Sequence, residues 1–140
     1  MSSESEVVKR SAEVPLEPVR AGTATESQVL LSDADGAPHF AMRRFVMGAG
    51  GGMPRHTNTV EHEQYVLGGR ARVRIAERVH EVTAGHVLFI PAGVPHSYEV
   101  LEAPFEFLCM VPNRPDRIEI VPERSASGSE QDADPRSDLR

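Results

Sequence analysis

The sequence is poor in residues that several kinds of site and structure require. Its 140 residues include one cysteine and no tryptophan. A single cysteine, Cys109, excludes both an intramolecular disulfide and a zinc cluster built on thiolates. No apolar run approaches the roughly 20 residues of a membrane-spanning helix, and the first residues lack the basic start and apolar stretch of a signal peptide. We therefore expect a cytoplasmic protein with no membrane partner.

The chain also lacks an excess of positive charge. Its formal net charge is -6, whereas a nucleic-acid-binding domain normally carries a basic patch. Arg70, Arg72 and Arg74 alternate along one predicted strand, a pattern more typical of a solvated sheet face than of a phosphate-binding surface. We predict no nucleic-acid partner.

Polar ends flank a more apolar middle. Residues 1–13 mix serine, glutamate and lysine without a hydrophobic period, and residues 123–140 have the composition of a disordered tail. With 39% hydrophobic residues overall, a chain of this length can bury one core. We predict disordered tails at 1–13 and 123–140 around a single domain at 14–122.

Short apolar runs in this middle part, broken by glycine, proline or Asp-Gly, predict strands rather than helices. No window carries the i, i+3, i+4, i+7 stripe of an amphipathic helix. Regularly spaced short strands are typical of an antiparallel sandwich or barrel, and the glycine-rich run at 48–52 is interpreted as a flexible turn. The predicted strands are 28–31, 39–47, 63–67, 71–75, 78–82, 87–90, 96–100 and 106–111.

Two segments rich in turn residues carry four of the six histidines. Residues 56–69 read His-Thr-Asn-Thr-Val-Glu-His-Glu-Gln-Tyr-Val-Leu-Gly-Gly, and residues 85–96 read Gly-His-Val-Leu-Phe-Ile-Pro-Ala-Gly-Val-Pro-His. Both segments resemble the two signature motifs of the cupin family, over roughly residues 38–113. Asn58 replaces the second histidine of the first motif, and His62 occupies the position of its glutamate. In the second motif, Val100 replaces the final asparagine.

The resemblance implies a fold and a cofactor. Cupins fold as a double-stranded β-helix, so the resemblance narrows the predicted all-β fold to this jelly-roll barrel, and relatives imply a homodimer. It also implies one divalent transition metal ion (Fe, Mn, Cu, Ni or Zn) bound by His56, His62 and His96. Neutral imidazoles suit such ions and leave open positions for substrate. Asn58 is a weaker donor, either a weak ligand or a hydrogen-bond partner of a metal-bound water.

Strand parity places the candidate side chains in one cavity. Successive side chains of a strand point to opposite faces, so His56 and Asn58 share a face, and a turn at 59–61 lets His62 face inward. An apolar wall with a few convergent polar groups is typical of a pocket for a small-molecule substrate. The candidate catalytic groups are Gln64, Tyr98 and Glu61, and the candidate pocket walls are Val66, Phe107 and Cys109.

Two alternative ligands stay open. Glu61 and Glu63 compete with His62, since a four-residue gap would place Glu63 in the glutamate position of the first motif. Histidine ligands must be neutral, so metal affinity should fall below about pH 6.5, whereas carboxylate ligands would leave it independent of pH. The remaining histidines, His39, His80 and His86, are interpreted as structural.

The resemblance and the open three-histidine site favour an oxidoreductase of the dioxygenase type that acts on a small organic substrate. A redox-silent lyase or isomerase, in which the metal polarises a carbonyl group, fits the same residues. So does a module that binds a small ligand without catalysis. The fold alone does not choose among these functions.

Overall fold

The computed structural model describes residues 6–122. Within that range the chain forms an antiparallel β-structure with two short 3-10 turns, at Ser11–Glu13 and Asp33–Asp35, which confirms the all-β prediction. None of the helical segments in this range has the length and hydropathy that crossing a membrane requires. The described strands are β1 (Glu17–Pro18), β2 (Thr23–Leu31), β3 (Phe40–Asn58), β4 (His62–Ile75), β5 (Arg78–Thr83), β6 (Val87–Ile90), β7 (His96–Pro112) and β8 (Ile118–Ile120).

The predicted tail at 123–140 and residues 1–5 lie outside the described residues. Residues 6–13 are described and include the Ser11–Glu13 turn. The Gln28 side-chain amide donates to the carbonyl oxygens of Ser11 at 3.1 Å and Val14 at 2.8 Å. The N-terminal segment is therefore attached to β2 before the predicted domain boundary at residue 14.

Three long strands form the centre of the barrel. β7 pairs with β3 on one side and with β4 on the other, so the path runs β1-β2-β3-β7-β4-β5, while β6 pairs with β4 and β8 with β3. β3 ends at Asn58, β4 begins at His62 and β7 begins at His96. The register places His56 directly opposite His96. The candidate ligands therefore lie close to the ends of the three central strands.

Two glycine-containing segments continue a strand instead of ending it. The run at 48–52, interpreted as a flexible turn, lies inside β3, where the register with β7 shifts between Met47 and Gly52. The predicted strands at 63–67 and 71–75 are joined into β4 through Gly69, which has φ 79°. A glycine with positive φ lets a strand bulge and continue. Local sequence predicts that the strand ends in both cases, because glycine is the residue favoured both in a bulge and in a turn.

Burial in β4 follows the period of two that a half-buried strand requires. Buried and exposed residues alternate from His62 to Leu67, as strand parity predicts for this segment. The barrel interior is filled by large side chains that are almost fully buried. They include Met47, Val66, Val73, Ile90, Phe105 and Phe107.

The outer face of β4 and β6 carries several exposed apolar side chains. Tyr65 pairs with Val87, and Phe89 pairs with Glu63 two positions further along the same two strands. Tyr65, Leu67, Val87 and Phe89 are all exposed. An outer face of this kind is compatible with the homodimer expected from relatives, which stays a prediction.

Gly52 lies where β3 approaches β7 beside the candidate site. It has φ 149°, and it pairs with Glu99, next to the pair formed by Met53 and Tyr98. A β-carbon at position 52 would collide with the backbone carbonyl oxygen of Tyr98. The close approach of the two strands therefore requires glycine.

We expect Gly52→Ala to lower the free energy of unfolding by about 2 kcal/mol or more, because the methyl group pushes β3 away from β7 and the backbone conformation disfavours a side chain. Urea denaturation followed by circular dichroism measures this change. Gly68→Ala is the matched control, since a β-carbon there meets nothing within 4 Å. Equal losses in the two variants would contradict the close-approach explanation.

Candidate functional site

A cavity of about 120 Å³ lies inside the barrel. The imidazole ring centroids of His56 and His96 are 4.2 Å apart, and those of His62 and His96 are 6.0 Å apart. The barrel thus brings together residues that are separated by up to 40 positions in the sequence. The predicted site residues that line the cavity are His56, Asn58, His62, Gln64, His96, Tyr98 and Phe107.

His56 and His96 are oriented by the same local contact. The Nδ1 atom of His56 lies 2.7 Å from the Pro54 carbonyl oxygen, and that of His96 lies 2.9 Å from the Val94 carbonyl oxygen. A carbonyl oxygen only accepts hydrogen bonds, so Nδ1 carries the proton in each neutral ring. The Nε2 atom of each ring is therefore left with a free lone pair, the form in which imidazole binds a metal.

His62 begins β4, directly after the turn at 59–61, and lines the cavity. Its Nε2 atom lies 3.9 Å from Asp116 Oδ2, too far for a hydrogen bond. The Nε2 atoms of His62 and His96 are both buried and have no hydrogen-bond partner among residues 6–122. Both nitrogens are thus available to a ligand.

Asp116, which the sequence did not single out, determines how Asn58 is oriented. Its Oδ2 accepts a hydrogen bond from Asn58 Nδ2 at 2.9 Å, and its Oδ1 accepts one from the Thr59 backbone amide at 2.9 Å. Because a carboxylate only accepts, the amide group of Asn58 must face Asp116 with its nitrogen. Its buried Oδ1 then has no partner among the described residues, and it joins the free histidine nitrogens as a third electron-pair donor.

Burial keeps the three histidines neutral. Desolvation, reinforced by the positive charge of Arg43, lowers the pKa of His62 to about 4. Desolvation and the neighbouring His56 lower the pKa of His96 to about 3, and desolvation also lowers the pKa of His56. The rings of His62 and His96 therefore keep their lone pairs well below neutral pH, so the affinity loss expected near pH 6.5 moves to a lower pH.

The donor atoms fit a metal ion chemically but are not fully converged. Within residues 6–122, no three His, Cys, Asp or Glu side chains lie close enough together to hold an ion as they stand. Two imidazoles bound side by side at about 2.1 Å would have ring centroids roughly 4.5 Å apart, close to the 4.2 Å between His56 and His96. The His62 ring lies farther away, 6.0 Å from His96, and would have to move closer to the other two rings. Buried nitrogen and oxygen atoms that lack hydrogen-bond partners cost free energy. A bound cation would remove that cost.

Aromatic rings form one wall of the cavity, with a polar pair at its end. Phe107 stacks on Tyr98 with centroids 5.4 Å apart and planes 9° from parallel. The Tyr98 hydroxyl oxygen lies 2.8 Å from Gln64 Nε2 and 3.0 Å from Gln64 Oε1. Burial raises the pKa of Tyr98, so its hydroxyl stays protonated and can donate a hydrogen bond.

Four other residues singled out from the sequence lie outside the cavity lining. Glu61 and Glu63 are exposed, and a hydrogen bond with Glu61 raises the pKa of Glu63 to about 6. Val66 and Cys109 are buried in the core but are not among the cavity-lining side chains. Strand parity correctly predicted that Val66 and Cys109 face inward. Which inward positions border the cavity depends on how the barrel packs.

The fold and the inward-facing histidines define a cupin barrel. The family model for the cupin domain matches residues 43–111. The polyketide cyclase RemF from Streptomyces resistomycificus has a solved structure that is 31% identical, with a TM-score of 0.72 over 84% of this chain and 89% of its own. This chain belongs to the cupin family.

Two further solved structures are similar. A predicted oxalate decarboxylase from Thermotoga maritima is 25% identical, with a TM-score of 0.67 over 77% of this chain and 100% of its own. KdgF from a Halomonas species is 13% identical, with a TM-score of 0.69 over 79% of this chain and 96% of its own, which shows the fold alone. Among curated proteins, none matches this chain.

Metal-free protein should lose stability on acidification. The folded pKa values of His62 and His96 lie near 4 and 3, below the ordinary value of 6.5, so the unfolded chain binds more protons between these limits. The free energy of unfolding is then highest above pH 6.5 and falls as the pH drops through this window. We expect a loss of about 2 to 4 kcal/mol between pH 7.5 and pH 5 in chelator-treated protein.

Urea denaturation at a series of pH values measures this loss. His62→Gln should flatten the profile, because it removes one of the titrating rings. His80→Gln, which changes an exposed histidine on β5, should leave the profile unaltered. A stability that stays constant across the same pH range in the unsubstituted chain would contradict the buried neutral state.

Proposed function

We propose that this chain is a metal-dependent enzyme that catalyses a redox-silent cyclisation of a carbonyl-rich, polyketide-type substrate. The observation that carries the proposal is a set of buried nitrogen and oxygen atoms on His62, His96 and Asn58 that have no partner among residues 6–122. They surround a cavity with an aromatic wall. The 31% identity to a polyketide cyclase over most of both chains supports the reaction type. This reaction belongs with the redox-silent alternative that the sequence also allows.

His56, His62 and His96 would hold the metal ion, with Asn58 Oδ1 as a weaker fourth donor. Imidazole nitrogens suit Zn, Fe, Cu and Ni. A divalent ion in this neutral ligand set supplies Lewis acidity, which lowers the cost of negative charge on a substrate carbonyl oxygen. Asp116 acts as a positioning residue. It accepts a hydrogen bond from the Asn58 amide nitrogen, which leaves the Asn58 oxygen on the side away from Asp116.

The remaining cavity residues bind and orient the substrate. Phe107 and Tyr98 offer a flat wall that packs against an unsaturated carbon chain and excludes water from it. The Tyr98 hydroxyl accepts a hydrogen bond from Gln64 Nε2 at 2.8 Å. It can turn its own proton from Gln64 Oε1 to a substrate oxygen that gains negative charge during bond formation. Glu61 has no such role in this proposal, since its side chain is exposed.

Dioxygenase activity, which the sequence favours, uses the same residues but a different co-substrate. It requires dioxygen and a redox-active metal, whereas a cyclisation requires neither. Among the described residues, no contact distinguishes a position for dioxygen from a position for a second oxygen atom of the substrate. The requirement for dioxygen is therefore the property that an experiment must measure.

Replacing His96 with alanine should remove most of the bound metal, because His96 contributes the most deeply buried of the free donors. Protein dialysed against a zinc buffer is analysed for metal content, and circular dichroism establishes that the variant is folded. His80→Ala, at an exposed position, is the matched control and should keep its metal. Full zinc occupancy in folded His96→Ala would sink the ligand assignment.

A linear triketone, heptane-2,4,6-trione, tests the reaction. An aldol condensation joins its C1 methyl carbon to the C6 carbonyl carbon and releases the C6 oxygen as water, so the product is lighter by one water and no oxidant is consumed. We expect zinc-loaded protein to form this product under nitrogen faster than His96→Ala does, as measured by mass spectrometry. Turnover that occurs only with iron and in air, with oxygen uptake, would favour the dioxygenase instead. Binding of the triketone without turnover in any metal form would favour a ligand-binding module.

A further inference from the structure

Arg43 is a charged side chain on the inward face of β3. Its neighbours on that face, Ala41 and Phe45, are buried, and its register partner on β7 is the buried Cys109. The guanidinium lines the same cavity as the histidines. Arginine is rarely placed inside a barrel without a partner, so its contacts decide its role.

The described residues give Arg43 only weak partners. Its Nη2 atom donates to Cys109 Sγ at 3.2 Å, and its guanidinium carbon lies 5.0 Å from the centre of the Phe45 ring. Its Nε atom is buried and has no hydrogen-bond partner among residues 6–122. Burial raises the pKa of the Cys109 thiol, so the sulfur is a neutral acceptor and not a counter-ion.

Neighbouring arginines, in contrast, are paired with carboxylates. Arg44, one residue further along β3, lies 2.9 Å from Glu106, and Arg72 lies 2.8 Å from Glu99. Among the described residues, no carboxylate lies within ion-pair distance of Arg43. The nearby Asp116 instead accepts hydrogen bonds from Asn58 and Thr59. A guanidinium without a carboxylate partner among the described residues can donate hydrogen bonds from its planar N–H groups to a ligand anion.

A flat aromatic wall connects Arg43 to the histidines. Phe45 and Phe107 stack with centroids 5.1 Å apart and planes 9° from parallel, and Phe107 stacks on Tyr98 in the same way. Arg43 lies beside the Phe45 end of this row, and the His96 ring lies 6.0 Å from Tyr98 at the other end. A ligand that lies along the wall would meet a cation at one end and imidazole nitrogens at the other.

We propose that Arg43 forms an anion subsite that selects planar acids, so that the substrate carries a carboxylate at one end and an enolisable carbonyl group at the other. The carboxylate accepts hydrogen bonds from the guanidinium, including its free Nε, and the unsaturated body lies on the row of aromatic rings. The identity of the carbonyl end rests on the proposed function, whereas the anion subsite does not.

A second, more open pocket supports this orientation. It has a volume of about 430 Å³, and its polar lining consists of Arg43, Arg114, Asn113, Asp33 and Asp116. Arg43 therefore borders both the buried cavity and this open space. The anionic end of the substrate lies toward the open pocket, which leaves room for acids longer than the buried cavity itself.

Salicylate and its neutral isostere salicylamide test the subsite, because both are planar and only salicylate carries a carboxylate. Binding to the full chain is measured by isothermal titration calorimetry after chelator treatment, so that the carboxylate cannot bind a metal ion instead. We expect salicylate to bind roughly tenfold or more tightly than salicylamide, as a charge-assisted contact provides. Equal affinities, or no measurable salicylate binding, would overturn the proposal.

Variants then assign the difference to Arg43. Arg43→Gln should weaken salicylate binding by roughly tenfold or more and leave salicylamide binding unchanged, and Arg43→Lys, which keeps the charge without the planar N–H groups, should fall between. Arg44→Gln removes the same charge one residue away and should alter neither affinity. Salicylate binding that survives Arg43→Gln unaltered, or that Arg44→Gln weakens equally, would refute the assignment.

These measurements separate the subsite from the proposed reaction. They use metal-free protein and involve no turnover, so failure of metal binding or cyclisation leaves their result intact. The comparison of the two ligands on the unsubstituted chain also needs no variant, so a folding defect in Arg43→Gln does not remove the test.

Discussion

The antiparallel pairing of β3 with β7 is the constraint on which the site depends. This pairing places His56 opposite His96 and brings their rings to 4.2 Å between centroids. It is possible only because Gly52 has no β-carbon where the Tyr98 carbonyl oxygen approaches. The turn after β3 then returns the chain into β4 with His62 on the inward face. Backbone pairing, rather than any side-chain contact, therefore sets the spacing of the imidazoles.

The cavity combines apolar walls with polar atoms that the protein does not satisfy. Buried donors and acceptors are normally hydrogen-bonded, yet the free atoms on His62, His96 and Asn58 lack partners among residues 6–122, and so does Arg43 Nε. Each such atom costs stability unless a ligand pairs with it. Their position in one cavity indicates where binding of an ion and an anionic substrate would recover that free energy.

Asn58, where the chain departs from the cupin motif, serves two partners at once. Its amide donates to Asp116 with its nitrogen and presents a buried oxygen that has no partner among residues 6–122. The site thereby gains a link to the segment after β7, which also contacts Thr59 through Asp116 and through the Arg117 backbone amide. The result is a neutral donor set whose weakest member is held in one orientation.

Much of the barrel and of the histidine set could be predicted from sequence, because strand parity is a local property and motif spacing repeats within a family. Parity turned His62, Gln64 and Val66 inward, and the structure buries all three. Strand ends were less predictable, since Gly52 and Gly69 look like turns but act as bulges inside β3 and β4. The predicted cavity wall wrongly included Val66 and Cys109. An inward-facing position alone does not show whether a side chain lies in the core or borders the cavity.

By itself, the sequence determined the family, the inward faces and the three histidines. Only the tertiary structure decided that Asp116 orients Asn58 and that Arg43 enters the cavity beside Cys109. These contacts join residues 58 and 66 positions apart in the chain. Contacts between residues so far apart in the sequence cannot be predicted from local spacing or alternation, since the residues meet only when the strands pair and the barrel closes.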